Sequence, residues 1–230
     1  MSFWIPERVP SEEILDGDVS PLEAEASLSD IEWVHRRLGG RVLLRRHLLP
    51  LLERIAGGPG TRLSMLDLGC GSGHVGRDLV QAFARRGGPL DVLGLDLKIS
   101  HARLAERGLS VTGDALRLPF ADGSADVVFS TLFLHHFSPD DLRRLLLDSR
   151  RVARKAVIAF DLSRHRIAAA AISIIGPLAF RTRISTHDGR ASVLAAYTPT
   201  EIAALASGVL PGATVNPAGP FVWQLVWARP

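Results

Sequence analysis

From residue 63 onward the chain alternates short apolar runs with longer segments whose apolar positions recur every three or four residues. The runs LSMLDLG (63–69), DVLGLDL (91–97), LSVTGD (109–114), ADVVFSTLF (125–133) and ARKAVIAFDL (153–162) have the length and composition of strands. Between them, residues 74–86 predict a helix with Val75, Leu79, Val80 and Phe83 facing inward. A short helix is expected around residues 100–106, and another over 139–149 with Pro139 in its first turn. Near-continuous apolar strands separated by helices predict a parallel sheet covered on both faces. Two last strands, near 213–215 and 221–228, predict a terminal antiparallel pair.

The flanks read differently. Residues 11–30 are acidic and serine-rich, with room for one or two short helices. Ser29 and Asp30 are placed to cap a helix over 31–38 that Gly39-Gly40 would stop. Residues 41–55 predict a second helix, with Leu44, Leu48, Leu51, Leu52 and Ile55 on one face and a kink at Pro50. Gly57-Gly58-Pro59-Gly60 breaks the chain before the main fold. After Asp161 the alternation is interrupted by an apolar helix, 165–180, bent at Gly176-Pro177, and then by the polar stretch RTRISTHDGR, read as a loop. Thr198-Pro199 opens a further helix running to 206. The expected organisation is an N-terminal helical cap, 1–60, and an α/β domain, 61–230, with an insertion over 163–197.

Composition narrows the function classes. At 230 residues and 47% apolar, the chain can fill one large core. Its net charge of +3 is modest, and its basic residues, nearly all arginine, are scattered. With one tyrosine and four tryptophans there is no basic stripe interleaved with aromatics, so nucleic-acid binding is not expected. Cys70 is the sole cysteine, which rules out an internal disulfide and argues against a structural zinc site, and no metal is expected. No secretory signal is visible at the start, and the longest apolar run, 167–180, falls short of the ~20 residues of a membrane span. The expectation is a cytoplasmic protein without a transmembrane segment.

The chemistry concentrates at Leu66-Asp67-Leu68-Gly69-Cys70-Gly71-Ser72-Gly73, a strand entering a glycine-rich turn that opens a helix. Glycine there lets the backbone turn tightly and approach a ligand. Residues 71–76 also satisfy G-x-G-x-x-G, and Asp96 lies 20 residues beyond Gly76, the spacing of an acidic residue that binds a ribose. That motif alone does not separate a nicotinamide enzyme from a methyltransferase. Asp67 tilts the balance, because a pyrophosphate gains nothing from a nearby carboxylate, whereas an amino-acid-bearing sulfonium carries cationic groups. Gly113-Asp114-Ala115 follows the third strand, where Asp114 can bind an adenine amine.

The set LDLGCGSG, LGLDLK, GDALRLPF and ADVVFSTLFLHHF resembles the class I, Rossmann-like S-adenosylmethionine-dependent methyltransferases, in particular the branch with quinone-biosynthesis and small-molecule enzymes. The resemblance is strong over about residues 60–160. It implies a seven-stranded, mostly parallel doubly wound sheet with an antiparallel last strand, and S-adenosyl-L-methionine as cofactor. It further implies that Gly69, Gly71 and Gly73 line the methionine part with Asp67 beneath. Asp96, with Leu97 beside it, would hold the ribose, and Asp114 with Ala115 the adenine. Ser130 and Leu132 would lie by the methionine end and the substrate. Structural roles stand beside these: Asp67 as an anchor of the glycine turn, Asp96 as a helix cap, Asp114 as a turn residue and Cys70 as a small filler.

Methyl transfer from a sulfonium asks mainly for alignment of the acceptor and, for a hydroxyl, removal of its proton. His135, His136 and His187 are the candidate catalytic residues. At a strand end, neighbouring side chains diverge, so at most one of the pair His135-His136 is expected to face the acceptor. The alternative is that both pack or cap the following turn. His187 is expected either to reach in from a loop over the site or to be a turn residue. The insertion IAAAAISIIGPLAF predicts an apolar lid for an aromatic, polyketide-like or prenylated acceptor, or else a buried helix or a self-association face that would make a homodimer. Arg181, Arg183 and Arg190 are candidates for an acidic group on the acceptor, or else form a solvated edge. The expected function is O- or C-methylation of a small apolar molecule. The alternatives are an NAD(P)-dependent oxidoreductase, disfavoured by the lack of a Tyr-x-x-x-Lys pair, and a non-catalytic binding protein of the same fold.

Overall fold

A computed structural model describes residues 4–10, 13–98 and 110–230. Seven strands form one sheet in the order β3-β2-β1-β4-β5-β7-β6. The strands are β1 (Leu63–Leu68), β2 (Leu90–Asp96), β3 (Ser110–Thr112), β4 (Ala125–Thr131), β5 (Ala153–Leu162), β6 (Thr214–Gly219) and β7 (Val222–Ala228). The first five pair in parallel, while β7 runs antiparallel to both β5 and β6. The expected doubly wound sheet with its terminal antiparallel pair is therefore present. The helix expected around 100–106 lies outside the described residues.

Alternate residues of each strand feed two cores, as the pleat dictates. Leu63 and Met65 join Val75, Leu79, Phe83, Phe129, Ile158 and Phe160 on one face. Leu66 and Leu68 join Val128, Leu142, Leu145 and the tryptophans Trp223 and Trp227 on the other. Both tryptophans are fully buried, and their indole N–H groups donate to the carbonyls of Tyr197 and Pro211.

The N-terminal region corrects the expected helix over 31–38. Helix α1 spans Pro21–Arg37 and begins at Ser20, whose hydroxyl accepts from the Glu23 N–H while the Glu23 carboxylate accepts from the Ser20 N–H. This capping box with Pro at the first turn is a stronger start than Ser29-Asp30. Asp30 is buried and takes another role, accepting from Arg181 N, Thr182 N and Ser185 Oγ. Helix α2 (Gly40–Leu43) continues through a π-helical turn, Leu44–Leu48, into α3 (Leu49–Ala56). Pro50 sits at the start of α3, so the missing N–H and the ring clash are absorbed by that wider turn rather than by a sharp kink.

Helices α4 (His74–Ala84), α5 (Pro139–Val152), α6 (Arg166–Ala179), α7 (Arg183–Ala195) and α8 (Pro199–Ser207) complete the described α-helices. Pro177 lies within α6. Helix α7 overturns the reading of RTRISTHDGR as a loop. Thr182 caps it by accepting from Ser185 N, and its buried residues are Ser185, Asp188, Ala191, Ser192, Val193 and Ala195. Half of them are polar, which blurs the apolar periodicity that would announce the helix; the polar ones find partners elsewhere in the chain. Among the described residues, no helix is long and apolar enough to cross a membrane.

Candidate functional site

The parallel strands β1 to β4 end together at the edge where the strand order reverses, the position at which open α/β sheets bind ligands. The turn after β1 is tied to its neighbour, since Gly69 N and Cys70 N both donate to the Leu95 carbonyl of β2. Gly69, Gly71 and Gly73 have φ of 67°, 52° and 69°, a region that side-chain-bearing residues rarely adopt. At Gly69 a Cβ would stand 2.3 Å from the Phe133 ring, so this glycine also lets the loop after β4 close against the turn.

Asp67 is buried on the same face as Met65, and its Oδ1 has no hydrogen-bond partner. Burial, reinforced by the charge of Asp96, pushes its carboxyl up to about 7. A structural anchor of the turn would have both oxygens engaged; an orphaned oxygen beneath a glycine turn suits a cationic ligand group. Asp96 closes β2 and accepts from Gly71 N at 2.9 Å and Lys98 N at 3.0 Å, so it braces the turn as well as lining the crevice. Leu97 is largely exposed beside it. Asp114 is exposed and accepts from Leu116 N at 2.8 Å, with Ala115 buried next to it. Ser130 is buried at the end of β4, and Leu132 has φ of 52° with its N–H donating to the Phe160 carbonyl. All ten residues expected to line the cofactor therefore lie at or just beyond the carboxyl ends of β1 to β4. Cys70 is buried, and its thiol is pushed up by burial and then by Asp67 and Asp96, which leaves it unreactive.

The N-terminal segment roofs this edge. Lys98 Nζ donates to the carbonyls of Leu15 and Gly17 at 2.5 Å each. Asp188 of α7 accepts from Ile14 N and Leu15 N, each at 2.9 Å. Leu28 of α1 lies over Gly71, within 3.4 Å of where its Cβ would be.

His135 and His136 lie on a short 3-10 turn, Leu134–His136, rather than on an extended strand end. Their rings consequently stack, centroids 4.4 Å apart, and do not diverge as expected. His135 is 3% exposed, with Nδ1 at 2.7 Å from Asp161 Oδ1 and its backbone N–H donating to Asp161 Oδ2. Burial alone would lower its pKa, but the Asp161 and Glu13 carboxylates outweigh it and raise the imidazole to about 10. His136 places Nδ1 at 2.9 Å from Asp16 Oδ2. Glu13 Oε1 faces both Nε2 atoms, at 3.4 Å and 3.9 Å, and accepts from Ser192 Oγ. Sequence reading missed Glu13, Asp16 and Asp161 because no spacing links them to the histidines.

His187 does not reach in from a loop. It lies on α7 with its side chain 56% exposed and Nδ1 at 2.9 Å from Asp188 Oδ1. Arg181, Arg183 and Arg190 are exposed on the same stretch.

Residues 66–160 match the family described as a methyltransferase domain. An uncharacterized methyltransferase of Synechocystis sp. is 32% identical over 126 residues, 53% of this chain and 55% of that protein. A demethylmenaquinone methyltransferase of Thermotoga maritima is 36% identical over 95 residues, 40% of this chain and 39% of that protein. The chain thus spans about half or less of the curated relatives it matches. Among solved structures, a plantazolicin methyltransferase in complex with a pentazolic analogue and SAH superposes with TM-score 0.63 at 14% identity, covering 91% of this chain and 95% of that one. A SAM-dependent methyltransferase from Aquifex aeolicus gives TM-score 0.57 at 12% identity, covering 92% and 99%. At such identities these likenesses establish the fold.

Proposed function

From a chain whose residues 66–160 match the methyltransferase-domain family, we propose an S-adenosyl-L-methionine-dependent methyltransferase acting on a small, apolar acceptor. The observation that carries this reading is Asp67: a buried carboxylate with an unpartnered oxygen beneath three left-handed glycines. The bound cofactor supplies an electrophilic methyl group already activated by its sulfonium charge. The chain's own residues do the rest. Asp67 with Gly69, Gly71 and Gly73 receives the amino-acid end, Asp96 and Leu97 the ribose, and Asp114 with Ala115 the adenine. Ser130 and Leu132 border the reacting end. Alignment within a water-poor crevice is the main catalytic contribution.

The acceptor enters between the cap, residues 1–60, and the insertion, residues 163–197. Support comes from the contacts already described, in which Asp30 engages residues 181–185 and Asp188 engages 14–15. His135 and His136 stand at the acceptor side, and His187 lies outside this centre. The lone buried cysteine is in keeping with a cytoplasmic setting.

Titration calorimetry with S-adenosylmethionine, its demethylated product and NADH tests the reading. Binding of the first two and indifference to NADH is expected; avid NADH binding alone would overturn it. Turnover of labelled cofactor with a panel of phenols and quinols then identifies the acceptor class and separates an enzyme from a binding protein of the same fold.

A further inference from the structure

We propose that Glu13, His135 and His136 form a binding site for a divalent first-row transition cation, of the kind represented by Zn2+, with Asp161 and Asp16 as its outer supports. One ligand atom from each of the three lies within 4.8 Å of the others. The arrangement of partners argues for a cation more than for ordinary hydrogen bonding. His135 presents Nδ1 to Asp161, and His136 presents Nδ1 to Asp16, so each imidazole has its far nitrogen held by a carboxylate. This is how metal-ligating histidines are oriented: the outer carboxylate fixes the tautomer and turns Nε2 toward the ion. Both Nε2 atoms then face one carboxylate oxygen, Glu13 Oε1, at 3.4 Å and 3.9 Å.

Those separations are long for N–H···O bonds, and His135 Nε2 is buried without a hydrogen-bond partner. They are close to the spacing between neighbouring ligands around a tetrahedral ion, about 3.3 Å for metal–ligand bonds of ~2.0–2.1 Å. Two imidazoles and one carboxylate suit a borderline divalent ion, with a fourth position open on the partly exposed His136 side. No metal is expected from a sequence with a lone cysteine; this set has no sulfur, and its carboxylate comes from the N-terminal end of the chain, far in sequence from the histidines. Its consequence is mechanical as well as chemical. Glu13 belongs to the N-terminal segment, so a bound ion would pin that roof to the turn after β4. With an ion in place the two histidines are ligands and not proton acceptors.

The site can be tested without any assumption about methyl transfer. Untagged protein, stripped with a chelator and dialysed, is titrated with Co2+ and with Zn2+ in the absence of cofactor. One saturable equivalent is expected, with a visible cobalt absorption band and a raised melting temperature. Glu13→Gln and His136→Gln should each weaken binding at least about tenfold. His187→Gln should bind as the parent protein does, and circular dichroism confirms that each variant is folded. No saturable binding, or equal affinity in folded Glu13→Gln and His136→Gln, would overturn the proposal. Because the readout is cation binding alone, its failure leaves the methyltransferase reading untouched.

Discussion

Asp67→Asn replaces one carboxylate oxygen by an amide nitrogen at a position with no solvent exposure worth noting and no partner for Oδ1. The ionised carboxylate is the costly form there, which is why its pKa rises from 3.8 to about 7. Between those two values the folded protein keeps a proton that the unfolded chain has lost. Stability contributed by this group therefore falls as pH rises, at about 1.4 kcal/mol per pH unit, and levels off above pH 7. Over roughly three units the accumulated cost is about 4 kcal/mol. The variant cannot ionise, so its stability relative to the parent should climb by that amount from pH 4 to pH 7 and stay level beyond. Urea unfolding at half-unit pH intervals, without ligand, measures the difference directly and cancels the other titrating groups. At pH 8 the same variant should bind S-adenosylmethionine at least tenfold more weakly, a loss of about 1.4 kcal/mol, because the neutral amide offers its cationic end no counter-charge. A stability difference that does not change with pH would refute the argument that Asp67 is ionised at a cost.

Other substitutions probe separate parts of the structure. Gly69→Ala forces a Cβ against the Phe133 ring in a left-handed conformation and should cost about 1–3 kcal/mol in unfolding free energy, with cofactor affinity falling in parallel in calorimetry. Asp161→Asn leaves His135 without its buried ion partner and should cost about 3–5 kcal/mol by denaturant titration. His74 is held to about 3 by burial and by His35, so the unfolded chain gains a proton that the folded protein refuses; stability should fall as pH drops below 6.5, and His74→Gln should flatten that limb in a melting-temperature series. Asp188→Ala removes both acceptors from the N–H groups of Ile14 and Leu15, and hydrogen exchange at those two amides should speed up while exchange in β1 and β4 stays slow.

The strands, their alternation with helices and the glycine turn could be read directly from residues 63–162, because local chemistry dictates each of them. An apolar run of strand length buries both faces only in a covered parallel sheet, and Gly69, Gly71 and Gly73 are needed where φ is positive. The capping box Ser20-Pro21-Leu22-Glu23 was equally local and marked the true start of α1. Helix α7 was not legible, because half of its buried residues are polar and are satisfied by distant groups: Asp188 by the amides of residues 14 and 15, and Ser192 by Glu13. The cluster around His135 depends on the same distance. The histidines adjoin β4, Asp161 closes β5, and Glu13 arrives from the N-terminal segment. Polar groups of opposite charge carry no period along a chain, so only folding, which brings them within bonding range and removes water, decides which of them meet.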